Sequence, residues 1–369
     1  MKFDRRLLLN FDWLLLLLAL GICLIGVLNI YSAGYALSDA SLKGLYMKQL
    51  KWVGIGVAIM ALTFSIDYRT ITRYGYVIYL FSVLCLVLVL VTGYASRGSQ
   101  RWLAFGGFTF QPSELMKITI ILALANYFEN HKSEEGYFLR DLIAPILMVL
   151  FPFVLVLKQP DLGTGLILLI IFLAIVFIAG VRWKSIAIAA GTGLFFIPLG
   201  WHFLKNYQKD RIMTFIDPEQ DPLGTGYHII QSIIAIGSGG LWGKGFLQGT
   251  QTQLKFLPEQ HTDFIFSAFA EEWGFIGTMS LLLLFLALLL WGLQIAYEAK
   301  DLSGKLISLG VTVIISSQVI INVGMVIGIL PVVGIPLPFM SYGGSAMAVF
   351  MAGIGLLLNV RMRRFVFQP

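Results

Sequence analysis

The sequence predicts an all-α polytopic membrane protein, formed as one integral membrane domain over residues 1–369. Of its residues, 58% are hydrophobic and 12% are charged, and the mean hydropathy is +0.84, which is more apolar than a soluble domain needs to fill its core. Apolar runs long enough to cross about 30 Å of hydrocarbon recur along the chain. The Lys and Arg residues between these runs concentrate on one side, as they do in multi-pass proteins.

Ten transmembrane helices are expected, which places both termini on the same side of the membrane. The first apolar run follows a basic segment and lacks a small-residue cleavage site, so it is interpreted as a retained span and not as a signal peptide. The spans are predicted at residues 12–33, 49–66, 74–93, 113–129, 142–158, 161–180, 185–204, 264–295, 305–329 and 344–360.

Charge sets the orientation of these spans. With both termini cytoplasmic, the inner segments hold 14 Lys or Arg residues and the short outer loops hold six, which satisfies the positive-inside rule. Topology therefore explains the net charge of +6 better than nucleic-acid binding does, because the basic residues are dispersed between spans. The two cysteines, Cys23 and Cys85, lie inside apolar runs and are interpreted as packing residues.

One large extracytoplasmic loop, residues 205–263, is predicted between helices 7 and 8. Its residues 217–226 have the Asp-Pro and Gly content of turns. Isoleucines on one face of residues 228–236 predict a short helix that lies in the membrane interface or dips into the protein. The glycine-rich residues 237–245 lack the spacing of a nucleotide-binding P-loop, so tight backbone turns explain them better.

Polar residues at the outer ends of the spans form the candidate site. Arg101 lies in the second outer loop beside Arg97 and Trp102. Glu114 and Lys117 are three residues apart and share one face of the fourth helix. A buried ion pair that only pins two helices together is the structural alternative for Glu114 and Lys117.

Two further outer turns extend this candidate site. Lys158 precedes a tight turn and Asp161 opens the sixth helix, where capping explains the aspartate as well as a direct role does. The last outer turn, residues 330–345, holds three prolines and no charge. Such backbone at membrane depth is tolerated where it is buried or lines a cavity, so we expect it to wall one.

Asp263 is the foremost candidate for chemistry, because apolar walls around an outer cavity would make its carboxylate a usable base. A cap for the eighth helix and a proton-relay acid of a transporter are the alternatives. His261 is a weak metal candidate, since the four histidines lack the paired spacing of a zinc site. Glu271 and Glu272 fall inside the eighth span, where at least one should face a polar partner.

Several stretches resemble the signature motifs of one family. They are Arg101-Trp102, Gln111-Pro-Ser-Glu-x-x-Lys117, Lys158-Gln-Pro-Asp-Leu-Gly-Thr164, Gly226-Tyr-His-Ile-Ile-Gln-Ser232, Leu257-Pro-Glu-Gln-His-Thr-Asp-Phe264 and Leu337-Pro-Phe-Met-Ser-Tyr-Gly-Gly-Ser345. In this order they resemble the SEDS family (shape, elongation, division and sporulation) over almost the whole chain, and residues 243–251 are similar to its elongation branch. Thr109 is a departure, because many relatives carry Arg there.

The resemblance implies a peptidoglycan glycosyltransferase that polymerises lipid II during cell elongation. It implies a place in the bacterial cytoplasmic (inner) membrane, an active site on the extracytoplasmic face, and a class B penicillin-binding protein as partner. Asp263 would be the catalytic base that takes the proton of the acceptor sugar hydroxyl, and direct displacement would invert the anomeric centre. Arg101 and Lys117, with Lys158 or a bound divalent cation, would offset the developing pyrophosphate charge; no organic cofactor is implied.

The resemblance also suggests supporting roles for the neighbouring residues. Glu114 would orient Lys117, and Asp161 would shape the cavity or hold a cation. His261 and Thr262 would position the catalytic carboxylate or the substrate.

Two other functions are compatible with ten spans and intramembrane charges. A lipid II flippase or other transporter would have inverted repeats and polar groups near the membrane midplane, whereas the polar residues here gather at the outer ends of spans and no repeat is visible. A scaffold that recruits cell-wall enzymes is the third reading, and it is compatible with the enzyme.

Overall fold

The computed structural model describes residues 11–35, 44–96, 99–105, 108–133, 136–182, 185, 187, 188, 191, 206–217, 224–257 and 259–364. The long helices are α1 (Trp13–Tyr35), α2 (Leu45–Ser65), α4 (Gly75–Thr92), α5 (Pro112–Asn130), α6 (Ile143–Lys158), α7 (Leu162–Ala179), α11 (Ile265–Glu298), α12 (Leu302–Val326) and α13 (Gly344–Arg363). Shorter helices are α3 (Tyr68–Arg73), α8 (Asn206–Ile216), α9 (Thr225–Ser238) and α10 (Thr250–Gln253), and a 3-10 turn, Leu139–Leu142, leads into α6.

Eight of these described helices are long and apolar enough to cross a membrane: α1, α2, α4, α6 with its leading turn, α7, α11, α12 and α13. The prediction of a multi-pass helical membrane protein is thereby confirmed. The seventh predicted span, 185–204, lies almost wholly outside the described residues. The total of ten helices, the placement of the large loop and the single domain therefore stay predictions.

Helix α5 coincides with the fourth predicted span but is more polar than the eight. It carries Glu114, Lys117 and Glu129, and most of its side chains are buried. Its neighbours in the bundle include α4, α12 and α13. Because protein and not lipid surrounds it, α5 tolerates charges that a lipid-facing helix would expose to hydrocarbon. It forms the centre of the described bundle together with α12 and α13, the two most buried of the apolar helices.

A small sheet follows α4, which the all-α prediction missed. Strands β1 (Tyr94–Ser96), β2 (Ser99–Phe105) and β3 (Phe108–Phe110) form an antiparallel meander in that order. Tyr94 pairs with Trp102, and Leu103 pairs with Phe110. Aromatic residues favour paired strands, but these strands are too short to stand out from a loop beside 20-residue apolar runs.

Helix α11 contains a break. Gly274 has φ 62° and ψ −163°, so the helix is two segments joined at this residue. The predicted eighth span, 264–295, is therefore corrected: residues 265–273 form a separate short helix, and the continuous apolar helix begins after Gly274. The predicted short helix at 228–236 is present as α9, whose Ser232 hydroxyl donates to the Val326 carbonyl oxygen at 2.6 Å, so it packs against the protein.

Ion pairs and charged hydrogen bonds join helix ends on the side predicted to be cytoplasmic. Asp12, before α1, accepts a 2.6 Å hydrogen bond from the Trp291 indole and lies 3.3 Å from the Arg361 guanidinium. Asp301, before α12, accepts hydrogen bonds from the Tyr68 hydroxyl at 2.8 Å and the Arg69 guanidinium at 2.9 Å. These contacts connect α1, α3, α11, α12 and α13 at one end of the bundle.

Candidate functional site

The proline-rich segment 330–345 fixes the loop that carries Asp263. The Ser341 hydroxyl donates to the Thr262 carbonyl oxygen at 2.7 Å and accepts from the Leu337 amide at 2.8 Å. The Tyr342 amide donates to the His261 carbonyl oxygen at 2.8 Å. This segment has no regular secondary structure over residues 331–337, and its polar backbone groups are satisfied partly by the loop it holds. It lies against the loop that carries Asp263, and its predicted role as the wall of a cavity stays a prediction.

The backbone of Asp263 is held by a residue of α12. Asn322, buried in α12, donates from Nδ2 to the Asp263 carbonyl oxygen at 2.9 Å and to the Ile335 carbonyl oxygen at 2.8 Å. Asp263 is half-buried, and its Oδ2 lies 3.5 Å from the position that a Cβ on Gly334 would occupy. Gly334 has φ +71°, so a glycine here both permits the turn and leaves room beside the carboxylate.

Asp161 and Arg101 form a second polar cluster. Asp161 caps α7, because its Oδ1 accepts from the Thr164 amide at 3.2 Å and its Oδ2 accepts from the Thr164 hydroxyl at 3.0 Å. The predicted helix cap is therefore present. Its Oδ2 also accepts from the Gln111 side-chain amide at 3.3 Å, and the Arg101 Nη1 lies 3.9 Å from Oδ1. A residue with only a capping role would need none of these additional partners.

Arg101 fastens the sheet to the turn between α6 and α7. Its Nε donates to the Gln159 carbonyl oxygen at 3.0 Å, and its Nη2 donates to the Pro160 carbonyl oxygen. Pro160 has φ +23°, an unusual value for the fixed proline ring. The planar guanidinium matches two neighbouring carbonyls in a way that a lysine ammonium does not.

Glu114 and Lys117 form a buried ion pair within α5. The Lys117 Nζ lies 2.8 Å from each Glu114 carboxylate oxygen, and both side chains are almost fully buried. The Lys117 ammonium also lies 5.7 Å from the centre of the Phe350 ring of α13, within cation–π range. The prediction that the two share one helix face is confirmed, and Glu114 is placed to orient Lys117.

The Asp263 loop and the Asp161–Arg101 cluster both lie next to residues 333–335. A Cβ on Gly163 of α7 would lie 3.0 Å from the Val333 carbonyl oxygen and 2.8 Å from the Ile335 side chain. The first turn of α7 therefore contacts Val333 and Ile335, the two neighbours of the Gly334 that lies beside Asp263. Helix α5 is connected as well, because the Gln111 amide donates to the Ser345 hydroxyl at 3.0 Å.

The other predicted site residues are less directly connected. Lys158 is exposed at the end of α6, so its predicted contact with substrate stays a prediction. Thr262 is half-buried and its hydroxyl donates to the Glu259 carboxylate at 3.1 Å. The half-buried His261 ring lies 6.1 Å from the Tyr342 ring. Arg97 lies outside the described residues, and Thr109 is exposed in β3.

Several supporting residues were not singled out from the sequence. All are uncharged, and all but Asn322 lie within the quoted motifs, where only their proximity to the charged residues could have indicated them: Gln111, Ser113, Thr164, Asn322, Ser341 and Ser345. The described part of the chain holds no group of three or more His, Cys, Asp or Glu residues able to hold a metal ion.

The profile of the family described as Cell cycle protein, which covers FtsW, RodA and SpoVE, matches residues 12–365. The chain belongs to this family. The predicted membership, made from six motifs, is thereby confirmed.

Relatives of this FtsW/RodA/SpoVE chain are similar over nearly their whole lengths. Peptidoglycan glycosyltransferase MrdB of Escherichia coli K12 is 41% identical over 356 residues, which is 96% of this chain and 94% of the relative. Peptidoglycan glycosyltransferase RodA of Treponema pallidum is 34% identical and covers 96% of this chain and 98% of its own. The chain is accordingly a peptidoglycan glycosyltransferase, as its motifs predict.

Solved structures share the fold. A structure described as the structural coordination of polymerization and crosslinking by a peptidoglycan synthase complex superposes with a TM-score of 0.81 at 32% identity, covering 96% of this chain and 98% of that one. Rod shape determining protein RodA of Thermus thermophilus superposes with a TM-score of 0.72 at 32% identity, covering 97% and 98%. The glycosyltransferase therefore has the architecture of known family members.

Proposed function

We propose that this glycosyltransferase polymerises lipid II by inverting transfer, with Asp263 as the general base. The observation that supports the base assignment is that two side chains hold the backbone of the Asp263 loop: Asn322 donates to the Asp263 carbonyl and Ser341 donates to the Thr262 carbonyl. Backbone anchoring of this kind holds the Asp263 carboxylate in one position, as a catalytic group requires. General-base catalysis of this type contributes about 10² to 10⁴ in rate.

A pyrophosphate-linked sugar has a good leaving group, so one base is enough for the chemical step. Asp263 removes the proton of the attacking hydroxyl, and the new glycosidic bond forms as the bond to the pyrophosphate breaks. Arg101 and Lys117 stabilise the charge that develops on the leaving phosphate. Glu114, 2.8 Å from the Lys117 ammonium, holds that ammonium in one orientation. Lys158 contributes a further positive charge at the exposed edge of the site.

The positions of Asp161, His261 and Thr262 suggest supporting roles in the same reaction. Asp161 connects Arg101 to the first turn of α7 and so shapes the cavity wall. His261 and Thr262 hold Asp263 through their backbone carbonyls, which accept from Tyr342 and Ser341.

A divalent cation is the alternative means of offsetting pyrophosphate charge. The carboxylates near the site are dispersed, and the described residues include no cluster of three or more His, Cys, Asp or Glu residues that could hold a metal ion. A magnesium ion would therefore be held mainly by the phosphates of the substrate with one or two protein carboxylates, which is how Mg²⁺ is commonly bound. Asp161 is the proposed carboxylate. Titration of activity with Mg²⁺ and with a chelator tests this proposal.

The proposed setting is cell elongation at the extracytoplasmic face of the bacterial inner membrane, with a class B penicillin-binding protein as partner. The resemblance of residues 243–251 to the elongation branch supports the process, and the similarity to a polymerisation–crosslinking complex supports the partner. The excess of Lys and Arg in the segments that contain the termini supports the orientation.

The rival function is a lipid II flippase. Alternating access would require the bundle to open at the predicted cytoplasmic end. There the Asp12–Arg361 pair, at 3.3 Å, joins α1 to α13, and the Arg69–Asp301 pair, at 2.9 Å, joins α3 to α12, whereas the candidate site lies at the other end. This asymmetry favours an enzyme that opens on one side only.

Replacement of Asp263 by Asn tests the function. Purified Asp263→Asn protein in vesicles should bind labelled lipid II with nearly unchanged affinity and polymerise it at least 10²-fold more slowly, as expected for loss of a base. Glycan polymer at the wild-type rate from the variant would exclude Asp263 as the base. Transfer of lipid II across the vesicle by the variant, without polymer, would favour the flippase.

A further inference from the structure

Residues 239–249, here called the hook, are joined to the break in α11 by backbone hydrogen bonds. The break leaves amides and carbonyls of α11 without their helical partners, and the hook supplies them. The bonds run from the Lys244 amide to the Glu271 carbonyl (3.0 Å), from Gly245 to Glu272 (3.0 Å), from Phe275 to Gly240 (2.8 Å) and from Ile276 to Leu241 (3.1 Å). The hook is therefore part of the same rigid unit as α11.

Two glycines allow this close approach. A Cβ on Gly274 would lie 2.2 Å from the Gly243 nitrogen, and a Cβ on Gly243 would lie 2.1 Å from the Glu272 carbonyl oxygen. Both residues also have positive φ, 62° and 80°. Since any side chain would displace the backbone here, the hook packs against α11 in a single arrangement that requires both glycines.

The helix beyond the break presents a continuous apolar stripe. Its exposed side chains recur every three or four residues: Phe275, Ile276, Met279, Leu283, Leu286, Leu290, Leu293 and Tyr297. From Phe275 to Tyr297 the helix rises about 33 Å, close to the thickness of the hydrocarbon core. Tyr297 is 86% exposed at one end of the stripe, the position where aromatic residues meet lipid headgroups.

The hook presents apolar side chains at the other end of this stripe. Trp242 is 79% exposed and Leu241 is 65% exposed, and the Leu241 carbonyl accepts from Ile276 in the first turn after the break. Trp273, also exposed, lies just before the break. The stripe is about 33 Å long, which is about 22 residues at about 1.5 Å each. Tryptophan at one end and tyrosine at the other match the aromatic belts of a membrane span.

We propose that Leu241 and Trp242 insert into the headgroup–acyl boundary of the phospholipid bilayer at the Gly274 end of α11. The hook is then an interfacial anchor, although it belongs to the segment between α9 and α10 and carries no helix of its own. Its backbone polar groups are paired with α11, so insertion of its side chains leaves few of them to be desolvated.

The anchor has a consequence for catalysis that rests on the proposed function. Glu271, fully buried, accepts from the Lys244 ammonium at 2.7 Å and from the Gln251 and Thr252 amides at 2.8 and 3.1 Å. The short helix 265–273 that carries Glu271 begins directly after Asp263. The bilayer contact at Trp242 therefore sets the height of Asp263 relative to the lipid headgroups.

Spin-label accessibility tests the lipid contact. The full chain, with Cys23→Ala and Cys85→Ser, is placed in vesicles of phosphatidylethanolamine and phosphatidylglycerol, and a nitroxide is attached at Trp242→Cys. Leu84→Cys, at a 67% exposed position on α4, is the control for lipid, and Lys132→Cys, at a 61% exposed position after α5, is the control for water. The label at 242 should be relaxed more by oxygen than by a water-soluble nickel chelate, at a depth between the controls.

Relaxation of that label by the nickel chelate as strong as at the water control would overturn the proposal. Protection from both reagents would overturn it too, because the chain itself would then cover the residue. A second measurement needs no cysteine: lipids with brominated chains should quench less fluorescence in Trp242→Phe than in the wild type. Equal quenching in the two proteins contradicts the insertion of Trp242.

An activity assay tests the coupling to Asp263 separately. Trp242→Ser should reduce polymerisation of lipid II several-fold in vesicles and less in detergent micelles, with unchanged thermal stability in detergent. If the label inserts but this variant keeps full activity in vesicles, the coupling is wrong and the anchor stands. If Asp263→Asn keeps full activity, the base assignment is wrong and the accessibility result is unaffected.

Discussion

The buried carboxylate of Glu271 accepts hydrogen bonds through both of its oxygens, and its removal yields a quantitative prediction. Its Oε1 accepts from Lys244 at 2.7 Å and from the Gln251 amide at 2.8 Å, and its Oε2 accepts from the Thr252 amide and hydroxyl at 3.1 and 2.9 Å. In Glu271→Gln one acceptor becomes a donor. At least one buried donor then faces an NH₂ group, which costs about 1–3 kcal/mol, and loss of the charged bond to Lys244 adds about 1 kcal/mol.

We therefore expect Glu271→Gln to lower the free energy of unfolding by about 3 kcal/mol. Lys244→Met should lower it by about 1–2 kcal/mol, because the Lys244 side chain is 26% exposed and the other donors remain on Glu271. In the double variant the two effects should overlap by about 1 kcal/mol, since the broken bond is shared.

The assay is equilibrium unfolding in mixed detergent micelles, followed by circular dichroism, for the wild type, both single variants and the double variant. Leu84→Ala, on the exposed face of α4, serves as a control for substitutions that touch no network. Additive effects within about 0.5 kcal/mol would show that Lys244 and Glu271 do not interact in solution. A loss below about 0.5 kcal/mol in Glu271→Gln would refute the buried network itself.

Three further predictions concern the candidate site. Gly334→Ala should lower the rate of polymerisation at least tenfold, because the new methyl would lie 3.5 Å from the Asp263 carboxylate. It should also lower stability by about 1–2 kcal/mol, because φ is +71° at this residue. Wild-type turnover would contradict this placement. Arg101→Lys should lower kcat more than it raises KM for lipid II, since lysine cannot hold both the Gln159 and Pro160 carbonyls and its charge would be displaced from the leaving phosphate; an unchanged kcat would argue against it. Lys117→Met alone should lower the free energy of unfolding by about 3–5 kcal/mol, because it leaves Glu114 charged and buried. The double variant Glu114→Gln/Lys117→Met should unfold at a higher temperature than Lys117→Met and still make no glycan. Equal melting temperatures of the two variants would refute the pairing.

Features with long-range sequence signals were predictable, and features set by local backbone geometry were not. Apolar length located the membrane helices, because crossing hydrocarbon demands a fixed number of residues. The sheet around Arg101 and the break at Gly274 leave almost no trace in hydropathy. Gly274 lies within a helical apolar pattern, and only the hook, some 30 residues earlier, shows why glycine is required there.

The same distinction holds for the candidate site. Charged residues at span ends are conspicuous, so Asp161, Glu114 and Lys117 were found. Asn322 was not, because an amide in a helix interior usually serves packing, and its two carbonyl partners lie 59 and 13 residues away. The expectation that at least one of Glu271 and Glu272 has a polar partner is confirmed for both, since Glu272 bonds the Ser32 hydroxyl of α1.

The polar character of α5 has a consequence for biogenesis. An isolated helix with Glu114, Lys117 and Glu129 would partition less readily from the translocon into lipid than an uncharged one, although these charges lie toward its ends, where each costs less than the about 2.5–3.5 kcal/mol of the helix centre. The helices that bury it, α12 and α13, are synthesised about 170 residues later, a delay of roughly 10–35 s at ordinary elongation rates. Pairing of Glu114 with Lys117 inside one turn makes the helix nearly neutral during this interval. Insertion of the bundle is thus helped by a charge neutralisation within α5 that precedes assembly, and single-charge variants of this pair should accumulate in the membrane to a lower level than the wild type or the double variant.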